Sequence, residues 1–158
     1  MSQTSDINPR IIETLYAEAL VLSDEVRAAF RLAGRLDAML AAPVAGGPED
    51  AGRIALSCEG LRTTTRVMHA LAWLLNHRAF QRGELSESQL RRQGRLPADQ
   101  PAEPDRLALL PEEVRVLVAL SCDFYARLLR LDEAWRCPDA EREGGPGALQ
   151  ERLRRSVA

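Results

Sequence analysis

From Ile12 onward the apolar or small residues fall at Ile12, Leu15, Ala19, Leu22, Val26, Ala29, Ala33, Leu36 and Leu40, in alternating steps of three and four. A stripe of that period, sustained over four heptads, requires an α-helix that lays one face along other helices. The chain therefore reads as all-α. Pro9 suits the start of this first helix, and Pro43, Gly46, Gly47 and Pro48 end it, giving a helix over about 10–41.

The pattern returns at Ile54, Cys58, Leu61, Thr65, Met68, Ala72, Leu75 and Ala79 and stops at Gly83, which predicts a second helix over about 49–82. Its middle carries two further stripes, Val67, Leu71 and Leu74 on one side and Ala70, Trp73, His77 and Phe80 on another. A helix apolar nearly all round is expected to be buried nearly all round. Ser86 and Gln89 have capping-box spacing, and Leu85 and Leu90 are placed as a hydrophobic staple, so a short helix is predicted over about 87–93. Gly94 closes it, and the proline-rich run from Pro97 to Asp105 reads as an exposed linker.

A third long helix is predicted over about 111–136. Pro111 suits its first turn, and Glu112 and Glu113 complement its dipole. Val114, Leu117, Ser121, Phe124, Leu128, Leu131 and Trp135 form its seam, with Val118, Cys122, Tyr125 and Leu129 as a second stripe. These elements predict an antiparallel bundle of three long helices in one domain over 1–137. Residues 138–158, polar and rich in Gly and Pro at first, read as a mobile tail. Its end, with Leu149, Leu153, Arg154 and Arg155, reads as a short basic helix for docking on a partner.

A length of 158 residues suits one domain with a sizeable core. Aromatic residues make up only 4%, so that core must be aliphatic. The net charge is −2 with the signs interspersed, which argues against nucleic acid and membrane surfaces as partners. All 21 basic residues are Arg, which excludes Schiff-base chemistry and a P-loop lysine. Three scattered cysteines, Cys58, Cys122 and Cys137, and a polar start without an apolar signal core point to a reducing cytoplasm. No stretch approaches the about 20 apolar residues of a membrane span.

His69 and His77 lie eight residues apart with no acidic residue or Cys within a turn, so both read as structural, His77 near the helix surface, and neither a metal nor a cofactor is expected. Cys58 and Cys122 fall on apolar stripes and read as small hydrophobes. With no nucleophile or phosphate-binding motif, no catalytic residue is assigned and the chain reads as a non-enzyme. The oddest run is Arg62, Thr63, Thr64, Thr65 and Arg66, which sacrifices helix propensity in mid-helix. Its plain reading has the threonine hydroxyls bonding back to carbonyls one turn earlier and Arg66 pairing with Asp123 or Asp132. Its sharper reading is a polar recognition patch, with an anion site between Arg62 and Arg66. Arg91, Arg92 and Arg95 raise a DNA-binding helix-turn-helix from Glu84 to Arg95, against which the neighbouring acidic residues count.

The second helix carries more apolar surface than a three-helix bundle needs, and a homodimer covers such a surplus most economically. Leu61, Val67, Met68, Leu71, Trp73 and Leu74 are the expected seam between copies. A permanent hetero-partner or an apolar ligand pocket would cover it equally.

The run Leu61-Arg62-Thr63-Thr64-Thr65-Arg66-Val67-Met68, then Trp73-Leu74-Leu75 and Arg78-Ala79, then Gly83-Glu84-Leu85-Ser86 and Gln89, resembles the regulator of CtrA degradation (RcdA) family of alphaproteobacteria. Leu110-Pro111 and Arg130-Leu131-Asp132 extend the likeness, which covers about Ile54 to Asp132. That resemblance implies a homodimeric three-helix bundle that acts without catalysis. It implies an adaptor that joins companion regulators at the ClpXP protease and helps deliver cell-cycle proteins, including a response regulator, for degradation. It also implies recruitment to a cell pole by partners. The linker at 97–105 and the tail at 138–158 depart from the family. A DNA-associated cell-cycle regulator and a small-ligand-binding or enzymatic helical domain are the competing readings.

Overall fold

A computed structural model describes residues 6–40 and 48–137. Among these the fold is all-helical: α1 (Pro9–Leu40), α2 (Pro48–Gln81), α3 (Glu87–Gln93), α4 (Pro104–Leu107) and α5 (Glu112–Arg136). Asn8 opens α1, its side-chain oxygen accepting from the Arg10 amide at 2.9 Å. Gly83 ends α2 in the left-handed region at φ 76°, where a side chain would be strained. The amide of Glu84 then reaches the Ala79 carbonyl and that of Gly83 the Phe80 carbonyl, each at 2.9 Å, which satisfies carbonyls the helix end would orphan. Ser86 caps α3 with the reciprocal bonds to Gln89 that its spacing predicts.

Side-chain pairs fix the directions of the long helices. Glu13 meets Arg78, and Phe30 lies against Gly60, so α1 and α2 run antiparallel. Arg127 on α5 pairs with Glu18 on α1, and Val114 and Val118 pack with Ala33, so this pair is antiparallel too. Arg66 bonds Ser121, whereas Trp73, about two turns on, bonds Asp132, so α2 and α5 run parallel. α1 thus runs antiparallel to both other long helices, and the one pair that must run together in any three-helix bundle is α2 with α5. A parallel pair needs a crossover, and residues 82–111 supply it by returning along α2 and α5.

The core forms where the three long helices meet. Ile12, Leu15, Ala19, Leu22 and Val26 of α1 pack with Val67, Ala70, Trp73 and Leu74 of α2 and with Phe124, Tyr125 and Leu128 of α5. A smaller cluster of Ala33, Ala55, Leu110, Val114 and Val118 closes the other end. Gly60 permits the close approach of α1 there, since an added Cβ would lie 3.0 Å from the Phe30 ring. Each large apolar side chain so buried is worth about 1.5–3 kcal/mol over leaving it exposed.

Candidate interaction surface and the polar seam behind it

The inward face of α2 is not the stripe that its spacing favours. Ala55, Glu59, Thr63, Arg66, Ala70, Trp73 and His77 are buried, again in steps of three and four, with Val67 and Leu74 beside them. Four of these seven seam positions are polar or charged, so the seam depends on partners from elsewhere in the chain.

The crossover supplies several of them. Arg66 Nε donates to both Asp99 oxygens at 2.9 and 3.0 Å, while its two terminal nitrogens reach Ser121 Oγ at 3.0 Å and the Gln100 carbonyl at 3.3 Å. Neither Asp123 nor Asp132 is the partner; Asp99, 33 residues away, takes that place. Arg62 bonds Glu103 at 2.9 Å and the Pro101 carbonyl at 3.3 Å, and Tyr125 Oη donates to the Pro97 carbonyl at 2.6 Å. Burial pushes the Tyr125 phenol up to about 12, so it remains a donor at any neutral pH. Residues 97–105 are mostly exposed, as a linker would be, yet they form a strap tied across α2 and α5. Arg62 and Arg66 are engaged with carboxylates of that strap, which leaves the anion site between them without free cations. Thr63 Oγ1 is buried with no protein partner, as is Glu59 Oε2 one turn earlier, so the backbone bond expected of a mid-helix threonine is not made at Thr63. Thr64 and Thr65 face outward.

At the other end of the seam Asp132 holds three elements together. Its carboxylate accepts from Trp73 Nε1 at 2.9 Å, from the Leu96 amide at 3.2 Å and from Arg136 Nε at 3.0 Å. His77 is sandwiched beside it, 4.1 Å from the Trp73 ring and 5.3 Å from the Trp135 ring by centroids. It is buried and not, as its sequence position suggests, near the surface. Burial holds its imidazole down to about 4, with Asp132 pulling the other way and Arg136 reinforcing the shift. The folded chain thus requires neutral His77, whereas the unfolded chain protonates it near 6.5. Stability from this site is complete above about pH 6.5 and falls as the pH drops to about 4, a loss of about 3 kcal/mol. Urea titrations across that range should show the slope, and His77→Phe should remove most of it. An unchanged slope in the variant would place the acid sensitivity elsewhere.

The outward face of α2 carries the regular heptad stripe. Ile54, Leu61, Met68 and Leu75, each seven residues from the last, are 60%, 71%, 63% and 47% exposed. Thr65 and Ala72 lie between them, also exposed. Of the residues expected between copies, Leu61 and Met68 are on this open face and Leu71 is half-buried. Val67, Trp73 and Leu74 already belong to the core of a single chain. Spacing finds the stripe but not its side, because the middle of α2 is apolar on several sides and the inner seam is polar at Glu59, Thr63 and Arg66. Beside the stripe a cleft of about 510 Å³ opens between α2 and the strap, lined among others by Cys58, Leu61, Arg62, Thr65 and His69. Cys58 and Cys122 are half-buried, and burial pushes the Cys122 thiol up, away from a reactive thiolate.

Arg91 bonds Glu87 at 2.9 Å and lies 4.7 Å over the Trp135 ring, and α3 is followed by the strap instead of a recognition helix. Among the described residues no group of His, Cys, Asp and Glu could hold a metal ion, and no helix is long and apolar enough to cross a membrane. Leu149, Leu153, Arg154 and Arg155 lie outside the described residues. Over residues 3–157 the chain matches the model of a family described as a protein of unknown function (DUF1465), and it belongs to that family. No curated protein and no solved structure matches it significantly.

Proposed function

We propose that this member of the DUF1465 family is a non-enzymatic, homodimeric adaptor in regulated proteolysis, joining companion regulators at the ClpXP protease and helping to deliver a response-regulator substrate. The observation that carries the reading is the open heptad stripe of α2. Four large apolar side chains at seven-residue intervals on an exposed helix face form a seam suited to another helix. In a two-fold dimer the same stripe meets itself, so one set of residues buries twice its own area. The buried polar groups, by contrast, are spent on fixing the strap and the helix ends, which is scaffold work. The protease and its companions rest on the likeness of residues 54–132 to the regulators of CtrA degradation. Recruitment to a cell pole belongs to the same likeness.

Leu61→Glu and Met68→Glu test the dimer, since both side chains are exposed in one chain and their replacement leaves the core intact. Light scattering at micromolar concentration should give twice the chain mass for the parent and the single-chain mass for the double variant, which should still unfold in one cooperative transition, now independent of concentration. Leu74→Glu would be uninformative, because that side chain is fully buried and its change unfolds the chain. The adaptor role is tested by pull-down with the unfoldase component of ClpXP and its companion regulators. Enrichment by the parent and its loss in the Leu61→Glu/Met68→Glu chain is the expected result; no enrichment by the parent rejects the adaptor.

A further inference from the structure

On the side of the bundle away from the α2 stripe, α1 and α5 leave a second open groove of about 530 Å³. Its floor is apolar, with Val21, 59% exposed, on one wall and Leu120, 49% exposed, on the other, and Phe124 buried between them. Its rim is acidic: Glu18, Glu25 and Asp123 line it, and only Arg127, which already pairs with Glu18 and stacks 5.1 Å over Phe124, is basic. The groove therefore suits a short segment with one apolar face and a basic remainder.

The chain carries such a segment beyond α5. Leu149, Leu153 and Val157 are spaced four apart, the spacing of one helix face, and Arg152, Arg154 and Arg155 against Glu151 give residues 149–157 a charge of +2. Three acidic rim residues against Arg127 give the groove −2. Reach permits the contact. From Cys137 back to Asp123 is fourteen helical residues, about 21 Å, while the eleven residues 138–148, with three glycines among them, span up to about 36 Å. We infer that the C-terminal segment 149–157 docks in its own chain's α1/α5 groove, its leucines on Val21, Leu120 and Phe124 and its arginines along Glu25 and Asp123. The basic end is then held in place until a partner of similar acidic and apolar character competes for it. The inference does not depend on the dimer, which uses the other side of the bundle.

The test is disulfide trapping in the full-length chain with Cys58→Ser, Cys122→Ala and Cys137→Ser as background. A bond forms only where Cα atoms come within about 7 Å, so Val21→Cys with Leu153→Cys should close within one chain under mild oxidation. Leu61→Cys with Leu153→Cys, on the far face, should give at least about tenfold less intrachain product. Adding Glu25→Arg and Asp123→Arg, or about 1 M salt, should lower the yield several-fold. Equal yields from the two pairs overturn the inference, as does product found only between chains. Trypsin gives a second reading on the native cysteines: cleavage after Arg152, Arg154 and Arg155 should be several-fold faster in Val21→Glu than in the parent, and equal rates again overturn it.

Discussion

Asp132→Ala should lower the unfolding free energy by about 3–4 kcal/mol, a large share of the 5–15 kcal/mol that holds a domain of this size. Three donors lose their acceptor at once, and they do not suffer equally. Arg136 is partly exposed and keeps its 2.8 Å bond to the Arg91 carbonyl, so water can replace the lost carboxylate at little cost. The Trp73 indole and the Leu96 amide are buried and bond only to Asp132, and each orphaned donor costs about 1–3 kcal/mol. Asp132→Asn keeps the shape but turns a donor toward donors, so it should cost nearly as much. With a urea slope of about 2 kcal/mol/M, the midpoint falls by about 2 M. Trp73→Phe removes the indole donor, so the double variant should cost about 1–2 kcal/mol less than the sum of the singles. Strict additivity would mean that the Trp73–Asp132 bond contributes nothing.

The same bond explains how much of the fold could be read from the chain. α1 was legible because its one apolar stripe faces both other long helices, so spacing and burial agree from Ile12 to Ala33. α2 was legible as a helix and illegible in phase. Its apolar residues are more numerous than one face can hold, and its most regular stripe, Ile54 to Leu75, is the outward one. The inward seam contains Glu59, Thr63, Arg66 and His77, residue types that are seldom buried without partners. Those partners, Asp99 and Asp132, stand 33 residues from Arg66 and 59 from Trp73, beyond any local pattern. The strap was legible as exposed and illegible as a tie, for the complementary reason. Prolines and carboxylates are read locally as solvent-seeking, whereas here Pro97 and Pro101 offer carbonyls to Tyr125 and Arg62, and Asp99 answers a buried cation. The parallel run of α2 and α5 follows from that strap, and nothing in the helices' own spacing announces it.

The Arg66–Asp99 pair makes a prediction whose sign distinguishes strap anchoring from simple charge pairing. If the pair mattered only as an attraction, removing either member would cost the same. The two side chains are not equally buried, however: that of Arg66 is 2% exposed and that of Asp99 is 26% exposed. Asp99→Ala leaves a guanidinium inside the bundle with only Ser121 and the Gln100 carbonyl to answer it, and an uncompensated buried charge costs about 3–5 kcal/mol. Arg66→Met removes the charge, keeps much of the packed stem, and leaves Asp99 free to turn into water, so its cost should be about 1–2 kcal/mol. The double variant Arg66→Met/Asp99→Ala should therefore be more stable than Asp99→Ala alone. In all three the strap loses its central tie, so proteolysis after Arg95 and Arg106 should accelerate even where global stability recovers. Urea midpoints ordered parent, Arg66→Met, double variant, Asp99→Ala would establish that desolvation of Arg66 dominates. Equal losses in the two single variants would show that its burial is relieved by local opening of the strap, and the cleft beside α2 would then be wider in solution than the packed strap allows.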